Sequence, residues 1–359
     1  MDEQAPVVVS NRVAHFEVLD GLRGVAAAAV LLGHAQAILL DGHTIVARKY
    51  LAVQFFFMLS GFVIAYAYED RLRSGLSLKE FYLRRIIRLH PLILLGVLCG
   101  TIWFGISATS FISIRTPFAI VLGAAGLPSP FALFSFGRFP INPPQWSLFF
   151  ELLAYAAFGA LSPRTTTRWL AVFCAASFVG YGIHEALNFE HPTMPLFANI
   201  FGAAFSFSGG VLLWRLKHVL RPPAYQAPFI LMSAILAGVC LMPVSLGFTF
   251  DLLAVALVFP ALILFGAARE DGRNGRVERF LGDLSYPLYI LHWPILLASQ
   301  ALLVPVLGRH GAVAAACLTA VSFSYLMLNV YDKPVRKWLT ARLAQRRARE
   351  AGQALALGG

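Results

Sequence analysis

Ten apolar stretches divide the chain, at approximately 21–40, 51–68, 91–108, 147–162, 168–184, 196–214, 226–243, 249–268, 285–306 and 311–330. At a rise of about 1.5 Å per residue each comes close to spanning a hydrocarbon layer of about 30 Å as a helix. The runs are apolar on every side and do not alternate, so they do not read as barrel strands, which would be about 10 residues of alternating polarity. Backbone groups inside a bilayer must be satisfied within helices or a closed barrel. The pattern therefore predicts an all-α polytopic transmembrane helical bundle of about ten spans. A shorter apolar piece at 117–127 is long enough to dip into the membrane without crossing it. No repeat or low-complexity linker divides the sequence, so residues 1–359 read as one domain, with a core at 17–334 and a basic tail at 335–359.

Charge sets the orientation. The chain has 359 residues, 58% of them hydrophobic and 13% charged, and a formal net charge of +11. That surplus would suit nucleic acid if it were clustered on one soluble surface. Here it alternates between loops: with the N-terminus inside, Arg12, Arg23, the basic residues at 71–88, Arg164, Arg168, Arg215, Lys217, Arg221, the arginines at 269–279 and the tail all fall on one side. The other side keeps only Arg48, Lys49, Arg115, Arg138 and Arg309. The positive-inside rule then predicts that both termini are cytoplasmic, and no nucleic-acid partner is expected. Cys99, Cys174, Cys240 and Cys317 lie in separate apolar segments, as packing residues do. The first apolar segment lacks a small-residue cleavage pattern behind it and is expected to stay as a span. The tail from Arg336 to Arg349 suits anionic lipid. The loop 109–145 carries six prolines among many aromatics, which predicts an ordered cap.

Candidate chemistry begins on the first span, Asp20-Gly21-Leu22-Arg23-Gly24 running on to Gly33-His34. Arg23 and His34 are eleven residues apart, which returns to nearly the same helix face about 16 Å further along. An ionisable residue inside a span is costly and points to function. His34 fits a general base, or alternatively a structural hydrogen bond to a neighbouring helix. Glu151 begins the fourth span about 6 Å below the outer boundary, a depth close to that inferred for His34. It suits a partner of His34 or of a hydroxyl-rich acceptor, and equally a helix-terminal carboxylate at the positive dipole end. Ser147 lies one turn earlier on the same face. On the cytoplasmic side, Arg84 and Arg88 are i,i+4 neighbours with Arg85 between them, and Pro91 suits the first turn of the following span. Such clustered guanidiniums fit phosphates of a lipid or a bound molecule. His292, about 10 Å from the inner surface, reads as pocket wall or structure at a different depth from His34. Asp251 is a weaker polar candidate. No glycine-rich phosphate loop, zinc-ligand spacing or nucleophile elbow occurs, so no metal is expected.

Together these stretches resemble the acyltransferase 3 family of integral membrane O-acyltransferases. The resemblance runs from Glu17 to Pro334 and rests on five segments in order. They are Arg23 with His34, Phe55-Phe56-Phe57-Met58-Leu59-Ser60-Gly61-Phe62, Arg84-Arg85-x-x-Arg88-x-x-Pro91, Trp146-Ser147-Leu148-x-x-Glu151, and Ser285-Tyr286-x-Leu288-Tyr289-x-Leu291-His292. Two departures are His90, where an aromatic or small residue is common, and Asp332-Lys333-Pro334 in place of Glu-Lys-Pro.

The resemblance implies an acyltransferase of the bacterial inner membrane that moves an acyl group, most often acetyl from acetyl-CoA, to a sugar or glycan hydroxyl. It implies His34 and Glu151 as catalytic residues and Arg23, Arg84, Arg85 and Arg88 around the acyl-CoA. Ser60, Trp146, Ser147, Tyr286, Tyr289 and His292 would form the substrate pocket. Expected partners are acyl-CoA, a glycan or other hydroxyl-bearing acceptor, and membrane lipids. The competing class is a proton-coupled transporter of a small polar solute, with His34 and Glu151 as relay. Inverted internal repeats would favour it, and the sequence shows none.

Overall fold

The computed structural model describes residues 16–107, 115–130, 137–188, 195–220, 227–268 and 275–357. Arg12, Arg221, Arg269, Arg273 and parts of the proline-rich loop lie outside them. The described residues are mostly helical, with no strand among them. The helices are α1 (Glu17–Leu39), α2 (Lys49–Arg73), α3 (Leu78–Ser107), α4 (Arg115–Ala124), α5 (Gln145–Leu161), α6 (Thr167–Asn188) and α7 (Pro195–Leu220). They continue as α8 (Phe229–Leu241), α9 (Gly247–Leu253), α10 (Phe259–Ala268), α11 (Arg276–Leu302), α12 (Val304–Met327) and α13 (Lys333–Leu357). One π-helical turn, Ala254–Val258, joins α9 to α10 and another, Leu328–Asp332, joins α12 to α13.

Helices cover most of each of the ten apolar stretches, with 249–268 divided between α9, a π-helical turn and α10 and 285–306 crossing from α11 into α12. Among the described residues six helical stretches are long and apolar enough to cross a membrane, and α5 and α8 are shorter apolar helices. The outer surface agrees with a lipid surrounding. Ile106, Leu187, Ile230 and Val306 are each more than 70% exposed, and a continuous apolar exterior of that kind is untenable in water.

Two helix pairs form the centre. The first is α1 against α11, which run parallel. Glu17 meets Arg279 at 3.3 Å, Arg23 reaches Gly282 and Ser285, His34 meets His292, and Gln300 donates to the Ile38 carbonyl. The approach is close enough that a Cβ on Gly24 would run into the backbone of Leu281. Small residues at such a crossing let helix backbones touch where lipid supplies no hydrophobic drive. The second pair is α2 against α7. A Cβ on Gly61 would strike the Phe207 carbonyl, and one on Gly210 the Met58 carbonyl.

The prolines do not end their helices. Pro91 lies inside α3, although its position had suggested a first turn; the basic run and the span that follows it are one continuous helix of 30 residues. Pro287 and Pro294 lie inside α11. Proline lacks the N–H that would bond the carbonyl four residues earlier. For Pro294 that carbonyl belongs to Ile290, and Asn142 Nδ2 donates to it at 2.9 Å. A residue of the proline-rich loop thus completes the α11 ladder. Gln145 ties the same region to α4 by donating to the Gly123 carbonyl at 2.8 Å.

Candidate active site

A cavity of about 150 Å³ opens between α1, α2, α3, α5 and α11. Three guanidiniums line it, from Arg23, Arg85 and Arg88, together with Ser60, Ser147, Glu151, Tyr155, Ser285, Tyr286 and Tyr289. Its remaining wall is apolar and includes Val53, Phe56 and Phe57.

The three guanidiniums are held differently. Arg23 donates to Ser285 Oγ and to the Gly282 carbonyl, both at 2.9 Å, and pairs with Asp20 at 3.0 Å. Arg85 donates to Tyr68 Oη at 2.8 Å and stacks 4.8 Å from the Tyr68 ring centroid. Its Nε is buried with no hydrogen-bond partner. Arg88 lies 6.0 Å from the Tyr286 ring, whose hydroxyl donates to the Leu89 carbonyl at 2.5 Å. Among the described residues no salt bridge reaches Arg85 or Arg88, and the lone acid of the cavity lining is Glu151. A cavity with three guanidiniums and one carboxylate suits a phosphate-bearing ligand.

Arg84 was grouped with these residues on sequence and is elsewhere. It turns to Glu80, one helical turn earlier, with its Nη2 at 2.7 Å, and Glu80 also receives Arg347 of α13 at 2.6 Å. On a helix the i,i+3 pair Arg85 and Arg88 shares the cavity face, and Arg84 lies to one side of it.

Glu151 is also relocated. Its carboxylate accepts from Ser60 Oγ at 2.7 Å and from the Tyr155 hydroxyl, and Ser60 and Tyr155 are themselves 2.9 Å apart. It shares a cavity with the arginines, and His34 does not line that cavity. Trp146 stays outside the lining as well, packed edge-on against Phe57 and Phe150. Ser147 and Tyr289 are joined through their hydroxyls at 2.7 Å. Sequence reasoning missed Tyr155, although it sits one turn after Glu151, the spacing at which helix side chains meet.

His34 lies deeper along α1. Its Nδ1 is 3.0 Å from Nε2 of His292, and the Trp293 ring stands edge-on at 5.4 Å. This corrects the depth assigned to His292. The helix begins at Arg276, nine residues before the apolar run, so His292 is sixteen residues from the start of α11 as His34 is seventeen from the start of α1. In parallel helices with aligned starts the two are level. Tyr289 separates the histidines from the cavity: its ring centroid lies 6.2 Å from that of His292 and 5.6 Å from that of Phe56, and both Tyr289 and Phe56 line the cavity.

The arrangement offers an anion-binding mouth and, beyond an aromatic partition, a paired imidazole. Comparison with known proteins gives the family of the chain. The sequence profile of the family described as "Acyltransferase domain" matches residues 16–329. The chain belongs to this acyltransferase family. Protein 2 in the picA locus of Rhizobium radiobacter is 35% identical over 46% of the chain and 91% of that relative. Acyltransferase MdmB of Streptomyces mycarofaciens is 26% identical over 92% of the chain and 94% of the relative. The exopolysaccharide production protein ExoZ of Rhizobium meliloti is 26% identical over 82% of the chain and 94% of the relative. No solved structure matches. The acyltransferase is thus an integral membrane enzyme that transfers groups other than aminoacyl groups, and it needs an acyl donor and a hydroxyl acceptor.

One further polar cluster of the acyltransferase lies at the opposite end of the bundle. Arg48 and Asp251, both buried, form an ion pair. Tyr50 donates to the same carboxylate at 2.6 Å, and Arg48 also reaches the carbonyls of Pro243, Val244 and Gly247. With every partner internal, Asp251 serves structure.

Proposed function

We propose that this acyltransferase works in a bacterial inner membrane with about ten spans and both termini in the cytoplasm. It moves an acyl group, acetyl in the simplest case, from acyl-CoA to a hydroxyl of a cell-envelope glycan. The observation that carries the reading is the sharing of α1 by Arg23 at the cationic cavity and His34 about 16 Å deeper. The alternation of basic loops supports the orientation, which sets the arginine cavity toward the cytoplasm where acyl-CoA is made. The name of the relative ExoZ supports a polysaccharide acceptor.

In this mechanism Arg23, Arg85 and Arg88 hold CoA phosphates, and the thioester arm extends along α1 past Tyr289 and Phe56. His34 takes the proton of the acceptor hydroxyl as that oxygen attacks the thioester carbonyl. The carbon–sulfur bond then breaks, and the proton returns to the leaving thiolate. Glu151, held by Ser60 and Tyr155, orients the acceptor or the arm within the cavity.

The test is mass spectrometry of envelope glycans from a deletion strain complemented with wild-type or His34→Ala protein at matched membrane levels. A defined acyl increment should vanish on deletion, return with wild type and stay absent with H34A. An unchanged increment in H34A rejects His34 as the base. Solute uptake into proteoliposomes without acyl-CoA would replace the whole reading with transport.

A further inference from the structure

Every nitrogen of the histidine pair can be assigned from its partners. Nδ1 of His292 lies 2.8 Å from the Tyr289 carbonyl and 3.2 Å from that of Leu288. A carbonyl oxygen only accepts, so Nδ1 carries the proton and donates to both. The ring is completely buried, and no ion pair involves it among the described residues. A buried unpaired ring is neutral, and a neutral imidazole has one donor nitrogen. Its Nε2 is therefore an acceptor, and it faces Nδ1 of His34 at 3.0 Å.

Two lone pairs at that distance would repel, so His34 Nδ1 must carry a proton and donate it. The ring geometry fits a hydrogen bond. The planes are 8° apart, and the centroid separation of 5.1 Å exceeds the nitrogen distance by about two ring radii, which sets the rings edge to edge and not face to face. With His34 neutral, the form a general base requires, its Nε2 is unprotonated and its lone pair is directed away from His292.

We propose that His292 is a positioning residue that fixes His34 in the Nδ1-protonated tautomer. The backbone of α11 is the ultimate reference: two carbonyls orient His292, His292 orients His34, and Nε2 of His34 is left as the basic atom. A free imidazole does not make this choice for itself, and the tautomer of a histidine is set by the bond its other nitrogen makes. The inference rests on the reading of His34 as the general base.

The experiment compares three substitutions at His292 by acetyl-CoA-dependent thiol release, with purified protein in lipid nanodiscs and glycan from the deletion strain as acceptor. His292→Gln puts an amide oxygen near the position of Nε2 and should keep kcat within about threefold of wild type. His292→Asn retains a donor toward the α11 carbonyls but falls short of His34, and His292→Phe keeps only the bulk. Both should lose at least tenfold in kcat with the KM for acetyl-CoA unchanged, as expected when general-base catalysis worth about 10²–10⁴-fold is impaired. Equal rates for the Gln, Asn and Phe variants overturn the proposal.

Nitrogen-15 spectra of histidine-labelled wild-type protein give a second reading that requires no variant at His292. The His34 signals, identified by their absence in His34→Asn, should show the proton on Nδ1, and a proton on Nε2 overturns the assignment. If H34A retains transfer, the base reading fails by itself, whereas these spectra still decide the tautomer.

Discussion

Arg84 and Arg85 are adjacent in sequence and differ in what they face. Arg84 is engaged by Glu80, and Arg85 presents an unpartnered buried Nε beside the cavity. A hydrogen bond to a charged group is worth about 1.5–3 kcal/mol, or roughly 10–150-fold. Arg85→Ala should therefore raise the KM for acetyl-CoA by at least about tenfold, and Arg84→Ala should leave it within about twofold. Steady-state kinetics on the two purified variants checks this, and equal effects would mean that the cavity does not bind the donor. The cationic cluster was visible in the sequence as three arginines within five residues at a span boundary, a pattern that fits lipid phosphates as well as a bound ligand. Which of them turn inward depended on helix phase. The signal that could have resolved it was Glu80, four residues before Arg84, in the favourable order for a helical ion pair.

At the scale of helices, the boundary of an apolar run is a poor ruler for depth. The ten runs anticipated helices well because bilayer thickness sets their length. The depth of His292 was misread because α11 begins inside a polar sequence, Arg276 to Asp283, that hydropathy assigns to a loop. The same helix depends on Asn142, whose amide occupies the carbonyl released by Pro294. Asn142→Ala should leave that buried carbonyl unsatisfied, at a cost of about 1–3 kcal/mol. Thermal unfolding in detergent should show a lower Tm for N142A, with Asn142→Gln no better, since its longer side chain meets the tight contact at Gly96. An unchanged Tm would show that the α11 ladder does not need this bond. Nothing in the spacing of residues 142 and 290 announces the contact; only the folded loop brings them together.

For the molecule as a whole, the two ends have different polar economies. At one end the arginines look into a cavity, and at the other Arg48 pairs with Asp251 and donates to three carbonyls, with only its Nε left unpartnered. Removing one member of a buried pair strands the other and costs about 3–5 kcal/mol, whereas replacing both with apolar groups is often neutral. Asp251→Ala should accordingly lower the yield of folded protein and its Tm, and the double change Arg48→Met with Asp251→Leu should recover most of the loss. The folded fraction should keep the wild-type KM for acetyl-CoA in either case. A double variant no more stable than D251A would show that the pair itself, and not only the stranded charge, holds α2 to the α8–α9 connection. The sequence supplied both residues but no reason to pair positions 203 apart, because ion pairing across a bundle has no local periodicity.

The parallel pairing of α1 with α11 also sets an order of events during synthesis. His34 enters the membrane with the first helix, but its partner is 258 residues later in the chain. At about 5–20 residues per second, the ribosome takes roughly 10–50 s to deliver it. Throughout that interval α1 holds an arginine and an imidazole in a bilayer with no α11 to receive them, and Asp20 is the one ionic partner of Arg23 already made. The contact between His34 and His292 therefore forms only after α11 has been inserted. On the proposed mechanism a nascent chain stays inert until nearly its entire length has been inserted, and a truncation before α11 leaves His34 without its hydrogen-bond partner.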